Sequence, residues 1–256
     1  MMHPAATSID ADEVARFAAL ADEWWDPHGG LAALHQLNPV RIAYIRDHLA
    51  RHFGRDPLAE RPLAGLRLLD IGCGAGLLCE PMARLGAEVT GIDAAAESVA
   101  VAADHAAAHG LTIDYRDDSV EALAARGDKY DVVLNMEIVE HVADLAAFLD
   151  AAGACVRPGG AMFVATLNRT AKAFALAIVG AEYVLGWVPR GTHQWSKFVR
   201  PAELIGLLRR GGFRVDEVTG LAYSPLRDRW TLGRDLDVNY MLLATKSGAD
   251  DKRLQP

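Results

Sequence analysis

The stretch from Leu66 to Gly76, which reads LRLLDIGCGAG, constrains the fold more than any other part of the chain. Its short apolar run is typical of a buried strand, and the glycines that close it permit a turn whose backbone can approach a ligand closely. Asp70 places a carboxylate at the end of the strand. The apolar pattern after the turn predicts a helix that ends at about Leu85. A strand, a glycine turn and a helix N-terminus together indicate a nucleotide-binding site.

The composition limits the classes of protein to which the chain can belong. Of its 256 residues, 51% are hydrophobic, which is enough to bury the core of one α/β domain with additions. The net charge of −8 argues against nonspecific binding to nucleic acid, which needs a basic surface. The three cysteines are too few for a disulfide framework and lack metal-ligand spacing. Without a signal-peptide pattern or an apolar stretch of about 20 residues, we expect a soluble, cytoplasmic protein.

Strand and helix patterns alternate through the middle of the chain, which predicts a parallel sheet with helices on both faces. The predicted strands lie near 66–71, 87–92, 112–115, 130–134 and 161–166, and the predicted helices near 77–85, 96–108, 143–155 and 202–210. Two last strands, near 213–219 and 238–245, are joined by Leu221 to Asp237, which leaves no room for a crossover helix, so they should pair antiparallel. We therefore expect an α/β, Rossmann-like fold with a seven-stranded, mostly parallel sheet and an antiparallel last strand.

The N-terminal region is expected to be helical. Apolar residues at helical spacing predict an amphipathic helix over 8–24, which Ser8 or Asp10 would cap. A second helix is expected to begin at Pro39, with the preceding asparagine as its cap, and to reach about His52.

The spacing of the glycines narrows the choice of nucleotide. A dinucleotide fingerprint needs its third glycine at the sixth place of the turn, where this chain has Leu77, so a pyrophosphate ligand is disfavoured. Asp93 ends the second predicted strand, where a carboxylate can bind the hydroxyls of a ribose. After the third strand, Asp118 and Ser119 offer acceptors for an adenine amino group. With Asp70 and glycines 72, 74 and 76, these residues form the predicted nucleotide site.

Several motifs in order carry a resemblance to a known family. The stretches LLDIGCGAG, VTGID, RDDSVEAL, YDVVLNMEIVEHV and RPGG resemble the successive motifs of class I S-adenosylmethionine-dependent methyltransferases over about 66–166. The flanking stretches LNPVRIAYI, TLNRT, VGAEYVLGWVPRGTHQWSKFVRPAEL and DVNYMLLAT are similar to the bacterial O-methyltransferases of ubiquinone biosynthesis, over roughly 38–246. The resemblance implies N-terminal helices in residues 1–60 that cover the cofactor site. It implies a methyltransferase domain in residues 61–256, with an insertion at about 168–197.

The same resemblance implies specific contacts to S-adenosylmethionine. Arg41 would pair with the methionine carboxylate, and Gly72 would lie against the methionine moiety. Asp93 would bind the ribose hydroxyls, and Met136 would offer its backbone near the cofactor. Gly74 and Gly76 belong to the same turn and are expected beside the cofactor as well.

The implied reaction is O-methylation of catechol-type polyprenyl intermediates, a polyprenyl hydroxyphenol and a demethylubiquinol. A phenol titrates near a pH of about 10, so transfer needs a general base or a metal such as Mg²⁺. If the stretch after the fourth strand is helical, Glu137, Glu140 and His141 share one face and can bind that metal. His141 without a metal is the alternative base, and His193 in the insertion is a second candidate.

The insertion and the acceptor leave further alternatives open. The insertion is apolar between residues 170 and 188, which suits either a lid over the site or a membrane contact through which a prenyl tail enters. Trp195 and Phe198 are expected to pack the lid, and Tyr240 to lie in the core. Expected partners are the polyprenylated phenol or quinol, a membrane surface and other quinone-synthesis enzymes, with a place peripheral to the inner membrane. Methylation of another small phenol, a noncatalytic scaffold and an NAD-dependent reductase are the alternative functions.

Overall fold

The computed structural model describes residues 8–184, 194–224, 227 and 229–248, without the side chains of 22 and 180–184. An eight-stranded sheet is the framework of this part of the chain. The strands are β1 (Arg67–Ile71), β2 (Glu88–Asp93), β3 (Asp114–Asp117), β4 (Tyr130–Met136), β5 (Val156–Leu167), β6 (Phe213–Ser224), β7 (Arg229–Gly233) and β8 (Asn239–Lys246). Their order is β3-β2-β1-β4-β5-β8-β6-β7. The first five run parallel and the pairs from β5 onward are antiparallel, which confirms the predicted Rossmann-like architecture.

The strand count exceeds the prediction by one. β7 lies inside the segment that was expected to be only a connection, and it pairs with β6 from Ser224↔Arg229 to Gly220↔Gly233. The predicted antiparallel pairing of the last two long strands is confirmed between β6 and β8. Because β6 pairs with β8 on one side only, its other edge is open to the segment that follows it in the chain. That segment forms β7, whose backbone groups gain hydrogen bonds to β6.

Helices cover both faces of the sheet. They are α1 (Ala11–Ala18), α2 (Ala32–His52), α3 (Cys79–Arg84), α4 (Ala96–Ala108), α5 (Val120–Arg126), α6 (Leu145–Cys155), α7 (Ala171–Ala173) and α8 (Pro201–Arg210). Two 3₁₀ turns lie at Ala21–Glu23 and Trp195–Lys197, and a π-helix at Phe174–Val184 continues α7. In the described residues, no helix combines the length and the apolar composition that a membrane span requires.

The core is divided between the two faces because successive strand residues point to opposite sides. In β1, Leu68 packs with the cluster that includes Ile45 of α2 and Met82 of α3. The next residue, Leu69, packs with the cluster that includes Phe148 of α6 and Leu204 of α8. This packing fixes the register of β1 and so the place at which its glycine turn emerges.

The start of α2 was predicted wrongly. The helix begins at Ala32, so Pro39 lies inside it and is not its first residue. An internal proline removes one backbone hydrogen bond and crowds the preceding turn. Tertiary contacts on the first turns outweigh this cost: Leu37 is 4% exposed, and the ring of His35 hydrogen-bonds to the carbonyl of Trp24 at 2.8 Å.

The predicted N-terminal helix is shorter than expected. α1 ends at Ala18, and Asp10 is its cap, with Oδ1 accepting from the amide of Asp12 at 3.1 Å. Ser8 does not cap it; instead its amide and hydroxyl both donate to Glu121 Oε1, at 2.9 and 2.5 Å. These hydrogen bonds hold the chain before α1 beside the first turn of α5.

Candidate functional site

A cavity of about 210 Å³ lies at the carboxyl ends of β1, β2 and β4. In the sheet, β1 stands between β2 and β4: the chain runs from β1 to β2 and β3 on one side and then crosses back to β4 on the other. Open α/β sheets bind ligands at the carboxyl end of such a reversal in strand order. Residues of α1 and α2 also line the cavity. Of the predicted site residues, its described lining includes Arg41, Asp70, Gly72, Asp93, Asp118, Ser119, Met136, Glu137, Glu140 and His141.

Of the three glycines in the turn, only Gly72 belongs to the described lining of the cavity. Gly72 has a φ of 70° and lines the cavity. A Cβ atom on Gly74 would lie 2.2 Å from the ring of Trp24, and one on Gly76 would lie 2.1 Å from the hydroxyl oxygen of Tyr115. The structure therefore does not bring Gly74 and Gly76 to the cavity wall as the sequence predicted. They are needed because protein side chains pack directly on the turn.

Asp93 is held firmly at the edge of the cavity. Its Oδ2 accepts from the amide of Gly74 at 2.9 Å, and its Oδ1 accepts from the amide of Ala95 at 2.9 Å. Burial raises the pKa of this carboxyl above its ordinary value, although backbone hydrogen bonds from Ala95, Gly74 and Ala94 oppose the shift. Because each carboxylate oxygen has a second lone pair, Asp93 can also accept from ligand hydroxyls.

Asp70 is a buried carboxyl group without a countercharge among its described contacts. The thiol of Cys79 donates to its Oδ2 at 3.3 Å. Burial raises the pKa of Asp70 to about 7; the Cys79 hydrogen bond opposes this shift and the charge of Asp93 adds to it. A cation bound in the cavity would offset the cost of burying this charge.

Arg41 is the buried cation of the site. Its side chain is 1% exposed and forms an ion pair with Glu137. Burial lowers the pKa of Arg41 to about 10, and the charge of Glu140 opposes that shift. Glu137 has a φ of 54°, in the left-handed region that residues with a side chain rarely adopt, so its carboxylate is placed here at some backbone cost. The guanidinium is thus a built receptor for carboxylates.

Five buried polar atoms on cavity residues have no hydrogen-bond partner among the residues that the structure describes. They are Trp24 Nε1, Asn38 Oδ1, Arg41 Nε, Glu121 Oε2 and Glu140 Oε1. Unsatisfied buried polar groups are costly and usually bind a ligand or water. With the Asp70 and Asp93 carboxylates beside them, they fit a ligand that carries a cation, a carboxylate and hydroxyl groups, as S-adenosylmethionine does.

The predicted adenine contacts line the cavity but are partly used within the protein. Asp118 forms an ion pair with Arg126, and its Oδ1 accepts from the amide of Ser119 at 2.8 Å. The hydroxyl of Ser119 caps α5 by accepting from the amide of Ala122 at 3.2 Å. Met136 ends β4 and lines the cavity at 7% exposure.

The predicted metal-binding face is not formed. Residues 137–143 contain turns and bends but no helix, and α6 begins only at Leu145, so the helical condition for a shared face is not met; the positive φ of Glu137 turns the chain away from a helix directly after β4. The three side chains have different partners: Glu137 pairs with Arg41, Glu140 Oε2 accepts from Thr166 at 2.7 Å, and His141 contacts Glu13. Arranged in this way, the residues do not fit a bound Mg²⁺.

A carboxylate–imidazole pair was missed by the sequence reasoning. Glu13 of α1 lies with Oε2 3.1 Å from His141 Nδ1, although the two residues are 128 positions apart. Burial opposes ionisation of Glu13, but hydrogen bonds from His141 and Lys197 lower its pKa below the ordinary value. The Phe17 ring packs against the imidazole in a T-shaped arrangement, with centroids 5.0 Å apart. The sequence signal for this contact was weak: Glu13 is an acidic residue within a predicted amphipathic helix.

The remaining predicted residues lie in the insertion or after it. His193 lies outside the described residues. Phe198 is 1% exposed and packs against Leu167 and Ala173, as predicted, whereas Trp195 is 41% exposed and donates from Nε1 to the carbonyl of Thr170 at 3.0 Å. Tyr240 is a fully buried residue of β8, which confirms the prediction that it belongs to the core.

Comparison with known proteins gives consistent results at the level of sequence. The model of a family described as methyltransferase domain matches residues 37–218. The chain is 59% identical over 244 residues to a ubiquinone biosynthesis O-methyltransferase of Chelativorans sp., which covers 95% of this chain and 96% of the relative. It is 58% identical over 246 residues to the protein of the same name from Brucella anthropi, with 96% and 99% covered.

Solved structures show the same fold at low sequence identity. Magnesium protoporphyrin IX methyltransferase from Synechocystis, with bound S-adenosylhomocysteine, matches with a TM-score of 0.61 and 19% identity over 92% of this chain and 100% of that chain. A methyltransferase from Thermotoga maritima, described as dependent on S-adenosylmethionine, matches with a TM-score of 0.63 and 16% identity, with 92% and 100% covered.

Proposed function

Because this chain belongs to the methyltransferase-domain family, and within it to the ubiquinone biosynthesis O-methyltransferases, it is an S-adenosylmethionine-dependent enzyme, and we propose that it O-methylates catechol-type polyprenyl intermediates of ubiquinone synthesis. One observation carries the proposal: a cavity lined by carboxylates also contains an imidazole that a second carboxylate orients. The carboxylates suit a sulfonium donor, and the imidazole suits a phenol that must lose its proton.

The donor side of the site is assigned to three residues. When bound, S-adenosylmethionine supplies an electrophilic methyl group on a sulfonium cation. Arg41 binds its carboxylate, for which Glu137 substitutes in the free protein. Asp93 accepts from the ribose hydroxyls, and Asp70 balances positive charge in the cavity. Residues 1–60 are proposed to cover this donor, since α1 and α2 supply part of the lining.

On the acceptor side, His141 is proposed as the general base. Ionised Glu13 accepts the hydrogen of His141 Nδ1, which leaves the lone pair of the neutral ring on Nε2, where it can take the proton of a phenol. The buried Glu140 Oε1 is a second acceptor, suited to the adjacent hydroxyl of a catechol. No step requires a metal.

The proposed activity is tested with a labelled-methyl transfer assay on a short-chain prenyl catechol. We expect the label to appear as an aryl methyl ether, with inhibition by S-adenosylhomocysteine. The control is a resorcinol of the same chain length, whose hydroxyls are not adjacent and which should be methylated more slowly. Binding of S-adenosylhomocysteine without any transfer would instead support a noncatalytic scaffold, and equal rates on both phenols would support a broader phenol methyltransferase.

The insertion at about 168–197 is proposed as the contact with a membrane surface, from which the polyprenyl tail enters the site. The π-helix exposes Phe174, Leu176 and Val179 at 45%, 53% and 44%, an apolar surface that would otherwise face water. Such a surface can lie in a lipid interface without crossing the bilayer.

Replacing Leu176 with glutamine is expected to lower the fraction of protein that floats with liposomes, because apolar area is lost from the contact. Leu58→Gln is the matched control, since Leu58 is 84% exposed but lies in the linker before β1. Equal flotation of both variants, or none for the wild type, would show that the insertion is only a lid.

A further inference from the structure

A cluster of potential metal ligands lies between α3 and α4. Ligand atoms of Glu80, His105 and His109, one from each residue, all lie within 4.8 Å of one another. The two histidines are four positions apart at the C-terminal end of α4, so they share one face of the helix. None of the three belongs to the described lining of the cavity. The cluster is therefore separate from the site already described.

The donor set selects a class of ion. Two imidazoles and one carboxylate form a typical ligand set for Zn²⁺, whereas Mg²⁺ prefers oxygen ligands alone. We propose that Glu80, His105 and His109 bind one divalent transition-metal ion of the zinc class, which links α3 to α4 beside the glycine turn.

The hydrogen bonds of the histidines prepare them for a metal. His109 Nδ1 lies 2.8 Å from the carbonyl oxygen of His105. A carbonyl can only accept, so Nδ1 carries the hydrogen and the neutral ring presents its lone pair at Nε2. His105 is stacked on Trp25, with centroids 3.5 Å apart and ring planes within 7°, which fixes the orientation of the imidazole.

Glu80 is the buried member of the cluster, at 3% exposure. Its Oε1 lies 2.6 Å from His105 Nδ1, while Arg84 donates to Oε2 at 3.2 Å and so holds the carboxylate in place. With bonds of about 2.0–2.2 Å, a tetrahedral zinc ion has ligand atoms about 3.3 Å apart. To bind an ion, the ligand atoms would adjust from separations of up to 4.8 Å, and the 2.6 Å contact between Glu80 and His105 would open.

Two hydrogen bonds connect this cluster to the glycine turn. The indole nitrogen of Trp25 donates to the carbonyl of Ala75 at 3.1 Å, and the amide of Glu80 donates to the carbonyl of Gly76 at 3.1 Å. An ion bound to Glu80 and His105 therefore stabilises the packing around the turn without entering the cavity. Since it binds the folded chain through ligands from two helices, it raises the thermal stability of the protein.

Zinc binding to the full-length, metal-stripped protein tests the proposal by equilibrium dialysis and thermal unfolding. We expect the wild type to bind one equivalent of Zn²⁺ and to unfold at a higher temperature when zinc is present. Glu80→Gln and His109→Gln should each weaken zinc binding at least tenfold and abolish the thermal shift. His52→Gln is the control, because His52 is also at the C-terminal end of a helix but belongs to no metal-ligand cluster in the described residues; its ring hydrogen-bonds to the carbonyl of Gly159 at 2.9 Å and packs against Phe53.

The two variants also guard against a trivial loss of structure. His109 is exposed at the end of α4, so circular dichroism of His109→Gln without metal should match the wild type. Failure of the wild type to bind zinc, or wild-type affinity in both His109→Gln and Glu80→Gln, would overturn the proposal. So would zinc binding that is lost in His141→Gln, because the ion would then lie in the cavity.

Discussion

Replacing His141 with glutamine is expected to lower kcat for methyl transfer to a catechol by about 10²- to 10⁴-fold, the usual contribution of a positioned general base. The amide can still donate to Glu13, which lies 3.1 Å from Nδ1 in the wild type, so the contact with α1 is kept while the proton acceptor is lost. The dissociation constant for S-adenosylhomocysteine should stay within a few-fold of the wild type. Labelled-methyl kinetics and calorimetry measure the two quantities.

Glu13→Gln separates positioning from proton transfer. Glu13, which also pairs with Arg16 and Lys197, is proposed to act on the reaction through His141, so its amide variant should lower kcat less than His141→Gln does and should leave KM for the catechol nearly unchanged. A role of Glu13 in folding alone would instead change the unfolding temperature without this split. Lys197 is expected to keep its bond to Asp10, at 2.8 Å, in the variant, which limits the disturbance of α1.

Metal removal decides between the general base and a metal in the cavity. If His141 acts as the base, enzyme verified to be free of metal should keep its activity, because Glu137, Glu140 and His141 have separate protein partners. Activity that is lost on chelation and restored by Mg²⁺, with Glu137→Ala behaving like the chelated enzyme, would overturn the assignment of His141.

The places of Gly72 and Asp93 in the cavity wall were predictable from the sequence because they are set locally. Gly72 directly follows β1 and Asp93 is the last residue of β2, and the carboxyl ends of adjacent parallel strands meet at one edge of a sheet. The Glu13–His141 pair was not predictable, since it depends on where α1 packs, and no pattern within α1 encodes that position. Gly74 and Gly76 show a related limit: their spacing revealed a tight turn but not that Trp24 and Tyr115 cover it.

The fold shows the same division between local and tertiary control. The helix over 96–108 was predicted to the residue, because its pattern is continuous and nothing interrupts it. In α2, Pro39 indicated a helix start, yet packing of the preceding turns extends the helix back to Ala32. β7 escaped prediction for a further reason, because an edge strand exists only when a neighbouring strand is long enough to pair with it.

Replacing Asp70 with asparagine is expected to stabilise the ligand-free protein at pH 8, by as much as about 4 kcal/mol, because burial raises the pKa of this carboxyl from 3.8 to about 7. Between these values the unfolded chain ionises Asp70 while the folded protein keeps it protonated. Stability is therefore lost as the pH rises from about 4 to about 7, and above that range the loss is complete. The asparagine variant lacks this loss, so its advantage in unfolding temperature should be roughly 10 °C at pH 8 and less than half of that at pH 5.

Although the Asp70 carboxylate destabilises the ligand-free protein at pH 8, we expect it to strengthen binding of the methyl donor. In Asp70→Asn we expect the affinity for cationic S-adenosylmethionine to fall by about tenfold, equivalent to about 1.4 kcal/mol, and the affinity for neutral-sulfur S-adenosylhomocysteine to fall less. Asp131→Asn is the control of opposite sign: Asp131 accepts from the amide of Arg67 at 2.7 Å and pairs with Arg157, so removing its charge should destabilise the fold. A stabilising effect of Asp70→Asn that does not depend on pH would contradict burial of an ionisable carboxyl as its cause, and equal losses for both ligands would contradict its pairing with the sulfonium charge.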